Sequence, residues 1–157
     1  MSEIWLTEAG VRLFALEQGD GPVLVFLHGG LASHEAVLPM VSPLADRCRV
    51  VTPDVRGSGR SWWSEPLTFD RLSEDLLRLL DHLGVEHALV GGVSSGSGPA
   101  VHFALHHPER TRGLLVVWPV YAGTDAGYTP AQAEAFAGMD AVASRAVSEG
   151  SDVVRPM

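Results

Sequence analysis

Gly92-Val93-Ser94-Ser95-Gly96 stands between an apolar run, His87-Ala88-Leu89-Val90, and a stretch of helical spacing from Ser95 through His107. The run reads as a short buried strand. The stretch carries Val101, Ala104 and Leu105 on one side, and Pro108 lies beyond its end. A serine on a tight, glycine-flanked strand-to-helix turn has a specific chemical use. The turn lifts the hydroxyl clear of the sheet, and the first N–H groups of the helix, lacking intrahelical partners, face an anion forming there. Ser94 is therefore the candidate nucleophile, and the Ser95 N–H a candidate oxyanion donor. Two phosphate-binding alternatives fail on the residues. No Lys follows the glycines, which excludes a Walker-type loop. Gly96-Ser97-Gly98-Pro99-Ala100-Val101 breaks the dinucleotide fingerprint at its last place, and Leu114 to Val117, where a ribose-binding acid is expected, are all apolar.

Two upstream motifs strengthen the reading. His28-Gly29-Gly30 directly follows the strand-like Val23-Leu24-Val25-Phe26-Leu27. Glycines there let a backbone N–H, that of Gly30, approach a carbonyl oxygen as a second oxyanion donor. Asp54-Val55-Arg56-Gly57-Ser58-Gly59-Arg60-Ser61 follows the strand-like Arg49-Val50-Val51-Thr52. With these motifs in this order, and with His107-Pro108-Glu109-Arg110 closing the helix after the turn, the chain resembles the N-terminal part of the α/β-hydrolase superfamily. The resemblance is to the branch of esterases, epoxide hydrolases, lactonases and prolyl iminopeptidases. It implies an α/β fold: a doubly wound, mostly parallel sheet with an N-terminal antiparallel hairpin, here an incomplete core lacking the last strands. It implies acyl transfer to water from an ester, lactone or amide, with no cofactor. His28 and Gly29 are then loop-shaping residues of the pocket.

In such enzymes the triad runs Ser, then Asp or Glu, then His. Nothing after Ser94 resembles the acid or the histidine position. His102, His106 and His107 fall on the helix after the turn, from which a side chain cannot readily swing back to the serine. His34, His82 and His87 read as solvated or structural. Glu35 and Asp125 read as surface acids, and Asp54 and Arg56 as residues holding their own turn by hydrogen bonds. The expectation is a truncated serine hydrolase, weak or inactive alone. The alternatives are a non-catalytic small-molecule binding module of the same fold, or a partial subunit completed by another chain.

Composition bounds the rest. The 157 residues make about one domain, able to bury roughly two-thirds of its unfolded surface. All 11 basic residues are arginine and the net charge is −8, which argues against nucleic-acid or anionic-membrane partners. No apolar stretch approaches the ~20 residues of a membrane span. Met1-Ser2-Glu3 lacks a basic n-region, so no signal peptide is expected, and the single Cys48 suits a reducing, cytoplasmic setting. No Cys/His cluster has zinc spacing, so no metal is expected.

The remaining chain alternates strand and helix. Ile4 to Thr7 and Val11 to Glu17 read as a hairpin around Ala9-Gly10. Ser33 is placed to cap a short helix that Pro39 and Pro43 interrupt. Asp70 to Leu83 is the clearest helix, with Leu72, Leu76, Leu79, Leu80 and Leu83 on one stripe. Leu114 to Trp118 reads as a strand whose apolar edge invites self-association or a complementing chain. Thr129-Pro130-Ala131-Gln132 reads as a helix start leading toward Glu149. The expected organisation is a core over 1–122, the start of a lid helix over 123–150 and a frayed tail over 151–157. Trp62 and Trp63, after the Arg56-Gly57 turn, either line an apolar substrate pocket or pack beneath a neighbouring element.

Overall fold

The computed structural model describes residues 1–8, 10–63 and 67–119. The helix expected from Thr129 to Glu149, the lid and the tail lie outside the described residues. Met1–Val120 forms one compact unit.

Six strands form one sheet: β1 (Ser2–Glu8), β2 (Val11–Gln18), β3 (Val23–Leu27), β4 (Arg49–Pro53), β5 (Ala88–Val93) and β6 (Thr111–Val117). Their order is β1-β2-β4-β3-β5-β6. β1 pairs antiparallel with β2, and β2 antiparallel with β4. From β4 onward every pairing, β4 to β3, β3 to β5 and β5 to β6, is parallel. The parallel centre explains the uninterrupted apolar run of β3, buried at all five residues. Both faces of a parallel sheet are covered, so no polar alternation survives.

Successive β3 side chains serve two cores. Val23, Val25 and Leu27 pack with Leu76, Leu79 and Leu80 of α2 (Phe69–His82), the second of three α-helices among the described residues, and with Ala100 and Phe103 of α3 (Ser97–His106). Leu24 and Phe26 pack on the other face with Val37 and with Val41 of α1 (Leu38–Val41). The period of two along a strand sends neighbours to opposite faces, giving the three-layer α/β architecture.

Several element limits depart from the sequence reading. The elbow strand runs on through Gly91 and Gly92 to Val93, because both glycines still pair with β6. α2 starts at Phe69, with the Thr68 hydroxyl accepting the Arg71 N–H at 3.3 Å. Ser33 does occupy the position before a short 3-10 turn, His34–Ala36, but its side chain makes no capping bond. α3 buries Ser97, Pro99, Ala100 and Phe103, while Leu105 is exposed. Trp118 leaves β6 with a φ of 47° and is not part of the strand.

Candidate active site

The C-terminal ends of β3, β4 and β5 bring the three motifs together. β5 ends at Val93, and the chain turns at Ser94 through a 3-10 turn, Ser94–Gly96, into α3. Ser94 has a φ of 54°, and Leu31, in the loop after β3, has 55°. A left-handed backbone in a non-glycine residue costs on the order of 1–3 kcal/mol, so it persists only where surrounding packing enforces it. At Ser94 the turn leaves the side chain half-buried, and among the described residues its hydroxyl has no hydrogen-bond partner. Ser95 beside it is exposed.

Two glycines are required by close approach. A Cβ at Gly96 would stand 2.3 Å from the His28 carbonyl oxygen, so only glycine lets the elbow seat against the loop after β3. A Cβ at Gly29 would stand 3.3 Å from Ser94 Cβ and 3.8 Å from its Oγ. At Gly30 the nearest atom to such a Cβ is Ser95 Oγ, at 3.3 Å. Gly29 thus lies against Ser94, and Gly30 against Ser95.

His28 is almost wholly buried and uses both ring nitrogens. The Val55 N–H donates to Nε2 at 3.0 Å, so the proton sits on Nδ1, which donates to the Gly29 carbonyl at 2.7 Å. Burial pushes its pKa below the ordinary 6.5. A neutral ring with both nitrogens engaged shapes the loop and is not free to take a proton from Ser94.

The Asp54 carboxylate is fully buried and organises the second motif. Its Oδ1 accepts from the His34 N–H at 2.7 Å and from His34 Nδ1 at 2.8 Å, and its Oδ2 accepts from the Arg60 N–H at 2.7 Å. The Ser61 hydroxyl donates to the Asp54 carbonyl at 2.7 Å and accepts from the Phe14 N–H at 2.9 Å. Asp54 therefore holds its turn, as expected. Arg56 reaches further. Its guanidinium grips Asp75 of α2 through Nε at 2.6 Å and Nη2 at 2.5 Å, tying the turn to the helix. The planar fork suits a bidentate carboxylate.

The remaining histidines are directed elsewhere. His102 Nε2 meets Asp70 at 3.0 Å, and its ring stacks on that of His106 at 4.0 Å. His106 Nδ1 donates to the His102 carbonyl at 2.8 Å, and His107 Nδ1 lies 3.8 Å from Glu109. None of the seven histidines hydrogen-bonds Ser94.

A cavity of about 260 Å³ opens beside the elbow. Its polar side is formed by His28, Gly29, Gly30, Ser95 and Arg56. Its apolar side comes from Leu31, Leu67, Phe69, Leu72 and Pro99. The spacing of α2 marked Leu72 as apolar, but not that the start of this helix walls a pocket. Trp62 and Trp63 are not among the lining residues. Trp62 pairs its backbone with Arg12 and borders a separate, open groove with Trp5 and Arg60. The Trp63 ring lies over Gly57. A further cavity, about 20 Å³, lies beside Arg56, Asp75 and Leu76 and is too small for a substrate. Among the described residues no group of three or more His, Cys, Asp or Glu could hold a metal ion, and no helix is long and apolar enough to cross a membrane.

The family model described as alpha/beta hydrolase fold matches residues 22–151. The chain is 35% identical over 123 residues to the magnesium-chelatase 30 kDa subunit of Rhodobacter capsulatus, covering 76% of this chain and 43% of that protein. It is 33% identical over 142 residues to the 2-hydroxymuconate semialdehyde hydrolase of Pseudomonas sp. strain CF600, covering 80% and 49%. A thermophilic esterase from Thermogutta terrifontis, solved with malate bound, superposes with a TM-score of 0.77 at 26% identity, covering 96% of this chain and 55% of that one. The chain thus spans about half the length, or less, of the curated relatives it matches.

Proposed function

Because the chain belongs to the alpha/beta hydrolase fold family, we propose that Ser94 is the nucleophile of an acyl transfer to water from an ester, lactone or amide. Ser94 Oγ attacks the carbonyl carbon as its proton passes to solvent, and the N–H groups of Gly30 and Ser95 hold the oxygen that becomes negative. The C–O or C–N bond then breaks, the alcohol or amine leaves with a proton, and water cleaves the acyl-serine to free acid and Ser94. The acyl or alkoxy group lies along Leu31, Phe69 and Pro99. His28, Gly29 and the Arg56–Asp75 clamp hold these parts in place without touching the reacting atoms.

The observation that carries this reading is the left-handed Ser94 backbone on a strand-to-helix turn, with Gly29 against the serine side chain. The names of two of the similar proteins, a hydrolase and an esterase, support the same class of reaction. A second reading is a binding module that holds a small molecule without turnover. One observation favours it: no histidine hydrogen-bonds Ser94. The half-buried single Cys48 suits the reducing cytoplasm, which this reading takes as its setting.

Covalent labelling by a fluorophosphonate separates the two. Ser94 Oγ forms a bond to phosphorus, the P–F bond breaks, fluoride leaves, and the hydroxyl proton passes to buffer. Labelling that disappears in Ser94→Ala supports the nucleophile. A chain that stays unlabelled in alkaline buffer, yet shows saturable binding of a small apolar ester, supports the binding module.

A further inference from the structure

Ser95 carries a side chain that the elbow does not require. The fourth place of Gly92-Val93-Ser94-Ser95-Gly96 is only asked to present its N–H. Here its hydroxyl is exposed, lines the cavity, and has no hydrogen-bond partner among the described residues. A hydroxyl that held the loop together would have a partner within the chain. This one instead lies against Gly30, with Oγ 3.3 Å from where a Gly30 Cβ would stand. Gly30 and Ser95 are the two residues whose N–H groups flank the carbonyl oxygen in the reading above.

We infer that the Ser95 hydroxyl is a third donor to the oxyanion, so that Ser95 supplies two hydrogen bonds, from its N–H and from Oγ–H. The inference rests on Ser94 being the nucleophile. A hydroxyl hydrogen rotates to suit the acceptor nearby. An oxygen held by the Ser95 N–H is within the sweep of the hydroxyl on the same residue. The charge that develops there draws the hydroxyl more strongly than does the neutral carbonyl of the bound ester. An interaction stronger in the transition state than in the ground state raises the rate of the chemical step.

The test measures the rate constant for phosphonylation of the full chain by an ethyl alkylfluorophosphonate, with the labelled residue located by peptide mass spectrometry. Wild type, Ser94→Ala and Ser95→Ala are compared, with thermal melting recorded for each. The expected result is label on Ser94 in wild type, none in Ser94→Ala, and a rate roughly a hundredfold lower in Ser95→Ala at unchanged melting temperature. Side-chain donors of this kind act through the hydroxyl alone, so Ser95→Thr, which keeps it, retains more of the rate than Ser95→Ala. Labelling of Ser95→Ala within twofold of wild type overturns the inference while leaving the nucleophile intact. Label on Ser95 itself, or none on Ser94 in wild type, overturns the nucleophile and this inference with it.

Discussion

At the scale of single residues, the site is held by contacts that leave no slack. Gly96 allows the elbow to touch the His28 carbonyl, and any side chain there meets backbone that cannot rotate away. Gly96→Ala is expected to destabilise the chain by about 2 kcal/mol or more, as overpacking against a fixed wall does. Urea denaturation measures it, and a loss under about 0.5 kcal/mol would mean that the loop after β3 yields easily. The Arg56–Asp75 pair makes a second prediction. Both side chains are nearly shut off from water, at 2% and 9% exposure. Asp75→Ala takes the bidentate carboxylate away from a buried guanidinium and is expected to cost about 3 kcal/mol. Replacing both partners, as in Arg56→Met with Asp75→Leu, should recover much of that loss.

His28 gives the third prediction. Its buried imidazole titrates below the ordinary 6.5. Between that folded value and 6.5 the unfolded chain takes up a proton that the folded chain refuses. Stability is therefore fully present above 6.5 and falls as pH drops through the window. Burial also lowers His102, with His106 adding to the effect, so the two slopes have the same sign. Urea midpoints recorded from about pH 8 down to about pH 5 should decline, and His28→Asn should flatten part of that decline. An undiminished slope in His28→Asn would assign it to other groups.

At the scale of elements, β6 is the edge of the sheet among the described residues. Leu114 and Leu115 on it are 46% and 40% exposed. An apolar edge strand with unpaired backbone groups invites pairing with another chain. Self-association at micromolar concentration is expected in sedimentation experiments, reduced by Leu114→Lys. A clean monomer of the wild-type chain would show that this edge is covered.

The elements also mark what was readable from sequence. β3 was legible because a five-residue apolar run bounded by turn residues has few other readings, and β4 because Val50-Val51-Thr52 is β-branched throughout. The elbow was legible because a serine between two obligatory glycines, after a strand and before a helix, is a local pattern. The buried side of α3 was not. Apolar residues lie all round that short helix, so spacing does not choose between Leu105 and Phe103; packing against β5 and α2 does. Phe69 and Leu67 were missed as pocket walls for a similar reason. They border the cavity through tertiary placement, to which the Arg56–Asp75 clamp contributes by tying α2 to the turn after β4, a contact between residues 19 apart in sequence. The His34–Asp54 pair spans 20 residues and had no local signature.

At the scale of the whole molecule, the chain carries a serine on a strand-to-helix turn and an apolar cavity beside it, while none of its seven histidines hydrogen-bonds the serine. Serine hydrolases stripped of their base keep about 10³–10⁴-fold over water. Hydrolysis of activated esters by this chain is accordingly expected to be slow, far under the roughly 1–10³ per second of ordinary enzymes. Turnover in that ordinary range, abolished by Ser94→Ala, would mean that a base reaches Ser94 by a movement absent from this structure. The net charge of −8 leaves little attraction for anionic substrates, so neutral esters are the suitable probes.

The central claim is that Ser94, Gly30 and Ser95 converge on one reacting group. The most direct measurement is a crystal structure of the chain after reaction with a fluorophosphonate. The account predicts phosphorus bonded to Ser94 Oγ, with the phosphoryl oxygen within hydrogen-bond distance of the Gly30 and Ser95 N–H groups. An adduct on any other residue, or a phosphoryl oxygen turned away from both N–H groups, would contradict it.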